Sequence, residues 1–260
     1  MTGRPARARR PAASARVVHE WQRRIAAEYR SAAITQHLTL MLTQIGASPD
    51  LILAGLRIAE DELAHARLSH QVVVAADRNA APLPLDRGEL GLHLHDGEAL
   101  EHGVLRACVG IFCLGETVAV PLFKELRAGC TVAVARRALD RILRDEVRHR
   151  DFGWTLLAWL LATPHAPVLR QQLLGELAGL FGSVRASYGA IPAESELDGE
   201  LDGEMDPADR AWGLMPPALY HSALERTFER DYLPRFTRLQ IDPTPAWTRS
   251  LELYESPVPM

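Results

Sequence analysis

Cysteine is scarce in this chain: among 260 residues there are three, Cys108, Cys113 and Cys130, an odd number with no recurring spacing. Such a set excludes a disulfide-stapled scaffold and a cysteine-built zinc site, and it fits a reducing compartment, giving a cytoplasmic expectation. A surplus of charge is lacking as well. The net charge of -4 gives no reason to expect nucleic acid or a membrane surface as a partner. No uninterrupted apolar run reaches the roughly 18 residues that a membrane span requires. Arg9-Arg10 brings a twin-arginine export signal to mind, but Pro11 to Glu20 lacks the apolar stretch that must follow. Residues 1–13 read as a disordered basic arm. What is plentiful is apolar content, 47%, enough for one sizeable core with appended segments.

Helical periodicity begins near Ser14 and runs to Ile45, with Ile25, Ala32, Leu38 and Leu42 on one stripe. Gly46 stops it, and Ser48-Pro49-Asp50 restarts a helix that runs to about Ala76. Residues 77–99, broken by Pro82, Pro84, Gly88, Gly91 and Gly97, are too long for a tight turn and suit a crossover along a bundle. A third helix from about Leu100 to Leu126 and a fourth from Val132 to about Leu161 make a second hairpin, which Pro164 closes. The expectation is an all-α chain: a four-helix bundle of two hairpins over 14–162, then a helical extension over 163–260. Val168–Tyr188 and part of Pro217–Tyr232 read as helices of that extension, and 194–209 as a solvated acidic loop whose spacing matches no EF-hand.

One pattern occurs twice: Asp61-Glu62-Leu63-Ala64-His65 and Asp145-Glu146-Val147-Arg148-His149, each on the second helix of a hairpin. Glu and His three residues apart share a helix face, so each copy can offer two ligands to one metal region. A centre built this way needs a lone carboxylate from each first helix. Glu116 supplies one, standing in an otherwise apolar run where an unpaired carboxylate would cost several kcal/mol. Glu28 supplies the other as the sole carboxylate between Trp21 and Pro49. It lies 18 residues before Gly46 whereas Glu62 lies 12 after Asp50, a difference of about 9 Å along the axis to be absorbed by tilt, an irregular turn or a distorted helix. Asp61 and Asp145 are expected to hold the second ring nitrogen of the histidines, each serving the opposite hairpin.

These residues resemble the ferritin-like non-haem di-iron carboxylate proteins, and the doubled Asp-Glu-x-x-His looks like that of multicomponent monooxygenase hydroxylases. The resemblance covers about residues 14–162. It departs from subfamily patterns at Ile142, Ser69 and Val120, where related arylamine oxygenases, radical-generating reductase subunits and monooxygenases carry histidine, tyrosine and threonine. It implies two iron ions at Glu28, Glu62, His65, Glu116, Glu146 and His149, and reductive activation of dioxygen there.

Hard carboxylate oxygens with two imidazoles suit iron, manganese or a mixed pair. The expected activity is oxidation or oxygenation of a small organic substrate, with electrons from a separate donor protein. Ala32, Ser69, Cys113 and Val120, one turn from the ligands, are the expected walls of the substrate pocket. Cys113 itself reads as a small buried apolar residue rather than a redox group. A ferroxidase or iron-handling protein and a metal-free helical interaction module are the alternatives. The extension is free to cap the bundle, form a homodimer face or shape a substrate entrance.

Overall fold

The computed structural model describes residues 10–189 and 205–255. Among them every regular element is helical: α1 Ala15–Gln44, α2 Pro49–Ala76, α3 Leu100–Ala107, α4 Glu116–Gly129, α5 Ala133–Leu160, α6 Ala166–Val184, α7 Pro207–Ala211, α8 Pro217–Thr227, α9 Leu233–Arg238 and α10 Thr244–Glu255. A wide π-helical stretch, Cys108–Gly115, joins α3 to α4, so the two run as one long rod.

The ends of the first hairpin follow from local chemistry. The Ser14 hydroxyl accepts from the Val17 amide at 3.2 Å, and Ser48 caps α2 with Pro49 behind it. Gly46, at φ 70°, takes the left-handed conformation that lets the Ala47 amide reach back to the Leu42 carbonyl at 2.9 Å. The segment after α2 is pinned to α1, since the Leu92 amide donates to His37 Nδ1 at 2.9 Å.

Two antiparallel pairs result, α1 on α2 and α4 on α5, and they join through α2 against α5. Gly153 on α5 sits so close to the π-helical stretch that a Cβ there would stand 2.6 Å from the backbone of Phe112. The extension wraps the other side: α6 packs on the π-helical stretch and α3, α8 on α4, and α10 on α6. Phe181, Phe228, Phe236 and Trp247 give this layer its own aromatic core, with Phe228 stacked on Trp247 at 4.5 Å between centroids.

Covered on so many sides, the rod Leu100–Gly129 is apolar nearly all round. By length and composition it is able to cross a membrane, but 72% of its most apolar window is buried against protein.

Residues 1–9 of the expected basic arm, and all of the expected acidic loop before Met205, lie outside the described residues. The described ends of both are docked. The Pro11 carbonyl accepts from Trp212 Nε1 at 3.2 Å, Asp206 caps α7, and buried Asp209 accepts from Ser14 at 2.7 Å.

Candidate metal centre

Register within each hairpin decides which side chains meet. A Cβ on Gly55 would lie 2.5 Å from Thr39 Oγ1, and Ser31 donates to Glu62 at 2.9 Å. Glu28 therefore stands opposite His65 rather than Glu62, one turn along. In the second hairpin the approach of Gly153 to Phe112 sets Glu116 opposite His149 in the same way. The axial offset foreseen for Glu28 needs no break in α1, which is unbroken α-helix; the irregular turns lie before Glu116 instead. Each lone glutamate faces the histidine of its partner helix, and the two half-sites are built alike.

All six expected ligands converge, and all are buried. Glu28, Glu62, His65 and Glu146 offer atoms within 4.8 Å of one another, and so do Glu62, Glu116 and His149. Both histidines point Nδ1 inward. His65 Nδ1 lies 3.6 Å from Glu28, 3.5 Å from Glu62 and 3.8 Å from Glu146, while His149 Nδ1 lies 3.3 Å from Glu62 and 3.5 Å from Glu146. Glu62 and Glu146 thus stand between the two rings, each near both imidazoles.

The outward nitrogens are held from behind. His65 Nε2 is 3.1 Å from Asp145 and His149 Nε2 is 3.4 Å from Asp61, so each aspartate serves the histidine of the other hairpin. Arg148 donates to both aspartates, at 2.7 Å to Asp61 and 2.9 Å to Asp145; Arg141 reaches Asp61 at 2.9 Å and also pairs with Asp145. Sequence reasoning missed these arginines, although positions four before and three after Asp145 on one helix are where its partners should stand.

The electrostatics show a cluster short of positive charge. Burial pushes the Glu28 carboxyl up to about 8 and that of Glu116 well above its ordinary range, the latter helped by neighbouring Glu146. Burial works against charge on the imidazoles too, yet the carboxylates of Glu28 and Glu62 raise His65 to about 11, and Asp61 with Glu146 raises His149 further. Asp61 and Asp145 are depressed despite burial, by His149 and Arg148 and by Arg141 and His65 respectively.

Protons are thus drawn to the places that cations would neutralise. Four inward atoms, Glu62 Oε2, His65 Nδ1, Glu146 Oε2 and His149 Nδ1, are buried without a hydrogen-bond partner. An unsatisfied buried group costs about 1–3 kcal/mol, so four on facing walls of one site fit metal ligation. The donor set, four carboxylates and two imidazoles, suits a hard or borderline divalent metal.

Beside the cluster a cavity of about 850 Å³ fills the space between α1 and α4 and is lined by Glu28, Glu62, Glu116 and Glu146. Its walls correct the sequence expectation. None of Ala32, Ser69, Cys113 and Val120 lines it; Ala27, Ser31 and Ile34 do on α1, and Ala119, Leu122 and Phe123 on α4. At 3.6 residues per turn the position three ahead swings roughly 60° to one side of a ligand and the position four ahead roughly 40° to the other. The cavity opens on the first flank of both helices.

Before Glu116 the wider π turns change the phase again, so Gly110, Ile111 and Gly115 line it instead of Cys113. Ser69 belongs to the closed α2 side and is fully buried. Burial and adjacent Cys108 push the Cys113 thiol well up, leaving it an inert core group.

The extension supplies the remaining wall: Leu180, Ser183, Val184 and Tyr188 from α6 and the π-helical turn after it, Arg185–Gly189, and Tyr220 from α8. The Tyr188 hydroxyl is 4.0 Å from where a Cβ on Gly115 would sit, next to Glu116. Burial and the surrounding glutamates push its ionisation up, so it is a neutral O–H at ordinary pH. Nothing near Tyr188 in sequence marks it, because its place depends on a helix far along the chain. No protein-family model, no curated protein and no solved structure matches the chain.

Proposed function

We propose that this protein is a ferritin-like di-iron oxidase or oxygenase that uses dioxygen to oxidise a small organic molecule, with a separate protein donating electrons. The observation that carries the reading is the set of four orphaned, buried ligand atoms on Glu62, His65, Glu146 and His149, facing one another beside an organic-sized cavity. Glu28 and His65 would hold one ion, Glu116 and His149 the other, with Glu62 and Glu146 shared. Bound there, a pair of iron ions would supply the electrons and open positions that dioxygen reduction needs; a manganese or mixed pair would sit in the same ligands.

The residues of the chain do the rest. Asp61 and Asp145 keep the histidine Nδ1 atoms turned inward by accepting from Nε2–H, and Arg141 and Arg148 keep those aspartates ionised and close the α2–α5 side to water. Ser31 donates to Glu62 Oε1 and fixes its rotamer. Leu122, Phe123, Ile34 and Leu180 give the cavity apolar walls that hold an organic substrate and exclude bulk water. The neutral Tyr188 hydroxyl offers a hydrogen-bond donor in the cavity wall. The apolar neighbours of Glu116 on its own helix, Leu114, Val118 and Ala119, favour an organic substrate over iron as the substrate.

Purification from iron-supplemented cells should yield close to two metal ions per chain. Glu62→Ala or His149→Ala should lose most of it. Oxygen uptake that depends on an added organic compound separates an oxygenase from a ferroxidase. Full metal content in both variants would remove the ligand assignment, and no bound metal in the native chain would favour an interaction module.

A further inference from the structure

Four arginines line the cavity, and three of them are matched: Arg23 with Glu20, Arg30 with Glu89 and Arg106 with Glu98. Arg24 differs. Among the described residues it makes no ion pair, and its Nη1 is buried without a hydrogen-bond partner. The guanidinium is held in place by aromatic faces, 4.2 Å from the Trp21 ring centroid and 5.3 Å from that of Phe123. Tyr220 also lines the cavity, near enough to act on the Arg24 charge. Arg24 is one helical turn before Glu28, about 6 Å along the axis. The same cavity takes in Glu28 and Glu116 and the apolar side chains of Ile34, Leu92 and Ile111.

We propose that Arg24 is the specificity residue of this cavity and that its ligand is an elongated apolar carboxylate, with its anionic head on the Arg24 guanidinium and its tail running past the six-ligand cluster. A guanidinium presents a planar fork of donors that a carboxylate fits and an alcohol or amine does not. Burial works against this charge, Tyr220, Glu28 and Glu20 act on it without pairing with it, and a bound anion would supply the missing direct partner. The one-turn spacing places the carbons next to the head, rather than the far end of the tail, beside Glu28 and Glu116. The assignment deepens the oxygenase reading in naming the substrate class, yet it stands on groups outside the ligand set.

Equilibrium titration of the full chain with dodecanoate, dodecanol and dodecylamine tests it, with and without a chelator. Dodecanoate should bind roughly tenfold or more tighter than the other two, in both conditions. Arg24→Gln should erase that preference while leaving dodecanol binding unchanged, and Arg24→Lys should restore part of it. Since Arg24 packs on Trp21, a misfolding variant would leave the native-chain comparison to decide. Equal binding of the three probes overturns the proposal, as does a preference seen only with metal present and indifferent to Arg24→Gln, because the carboxylate then sits on the metal. Retained carboxylate preference in metal-free His149→Ala supports it even if the oxygenase reading fails.

Discussion

His65 and His149 depend on groups that never touch the cavity. With Asp145→Asn or Asp61→Asn the acceptor behind Nε2 is weakened and the ring is no longer fixed with Nδ1 inward; metal affinity should fall by about 10- to 100-fold. Chelator competition reads this directly, and an unchanged affinity in both variants would mean that the aspartates only cap a polar surface. Proton release gives a second check. In the metal-free protein burial raises Glu28 and the surrounding carboxylates raise His65, so the cluster holds protons at pH 7. Binding a cation must expel them, so affinity should rise as pH increases from 6 to 8, and the calorimetric heat should change with the ionisation enthalpy of the buffer. A heat independent of buffer would show that these groups are not ligands. The converging glutamates and histidines are legible because Glu-x-x-His writes helical geometry into adjacent letters. The pocket was not, because the flank of a ligand on which space opens is decided by what packs on the other flank.

Gly153 ties α5 to the irregular stretch before Glu116. An alanine there would place its Cβ 2.6 Å from Phe112 and 2.9 Å from the Cys113 amide nitrogen, both backbone, which cannot swing aside. Gly153→Ala should therefore cost about 1–3 kcal/mol despite alanine's better helix propensity. Gly175→Ala on α6, where a Cβ meets nothing within 4 Å, should instead gain up to about 1 kcal/mol. Thermal melts of the two variants should move in opposite directions, and a stabilised Gly153→Ala would mean that this contact is looser than described. Helix limits in the first hairpin are readable to within about a residue, because Ser14, Gly46, Ser48 and Pro49 act through local hydrogen bonds and backbone preferences, whereas α4 runs to Gly129, three residues past the expected Leu126. The π turns were not readable: Cys108–Gly115 is one apolar run compatible with either winding, and its irregularity is fixed by neighbours such as Tyr232, whose hydroxyl donates to the Leu114 carbonyl at 2.7 Å. Helix α10 has no counterpart among the expected helices of the extension; Trp247 gives it a face to bury against Phe181 and Phe228.

The molecule is asymmetric about its buried cluster. On one side α2 and α5 pack directly and the arginine-clamped aspartates seal the seam; on the other, α1 and α4 stand apart around the cavity, and the extension closes the gap. That two hairpins exist could be read from the chain, but which side would open could not, because it depends on where α6 and α8 dock. Within the cluster the carboxylates of the two hairpins face one another, and they repel unless protons or cations intervene. Metal should therefore act as a clasp between the hairpins as well as a reagent. A ligand that binds only the folded state at 100 times its dissociation constant adds about 2.7 kcal/mol. For a chain of this size that corresponds to a rise in melting temperature of roughly 5–10 °C. Ferrous iron under nitrogen, or manganese, should produce that shift in the native chain, a chelator should reverse it, and His149→Ala should abolish it. A melting temperature indifferent to metal in the native chain would show that the hairpins are held without the clasp, and that the orphaned atoms of Glu62, His65, Glu146 and His149 are satisfied by protons alone.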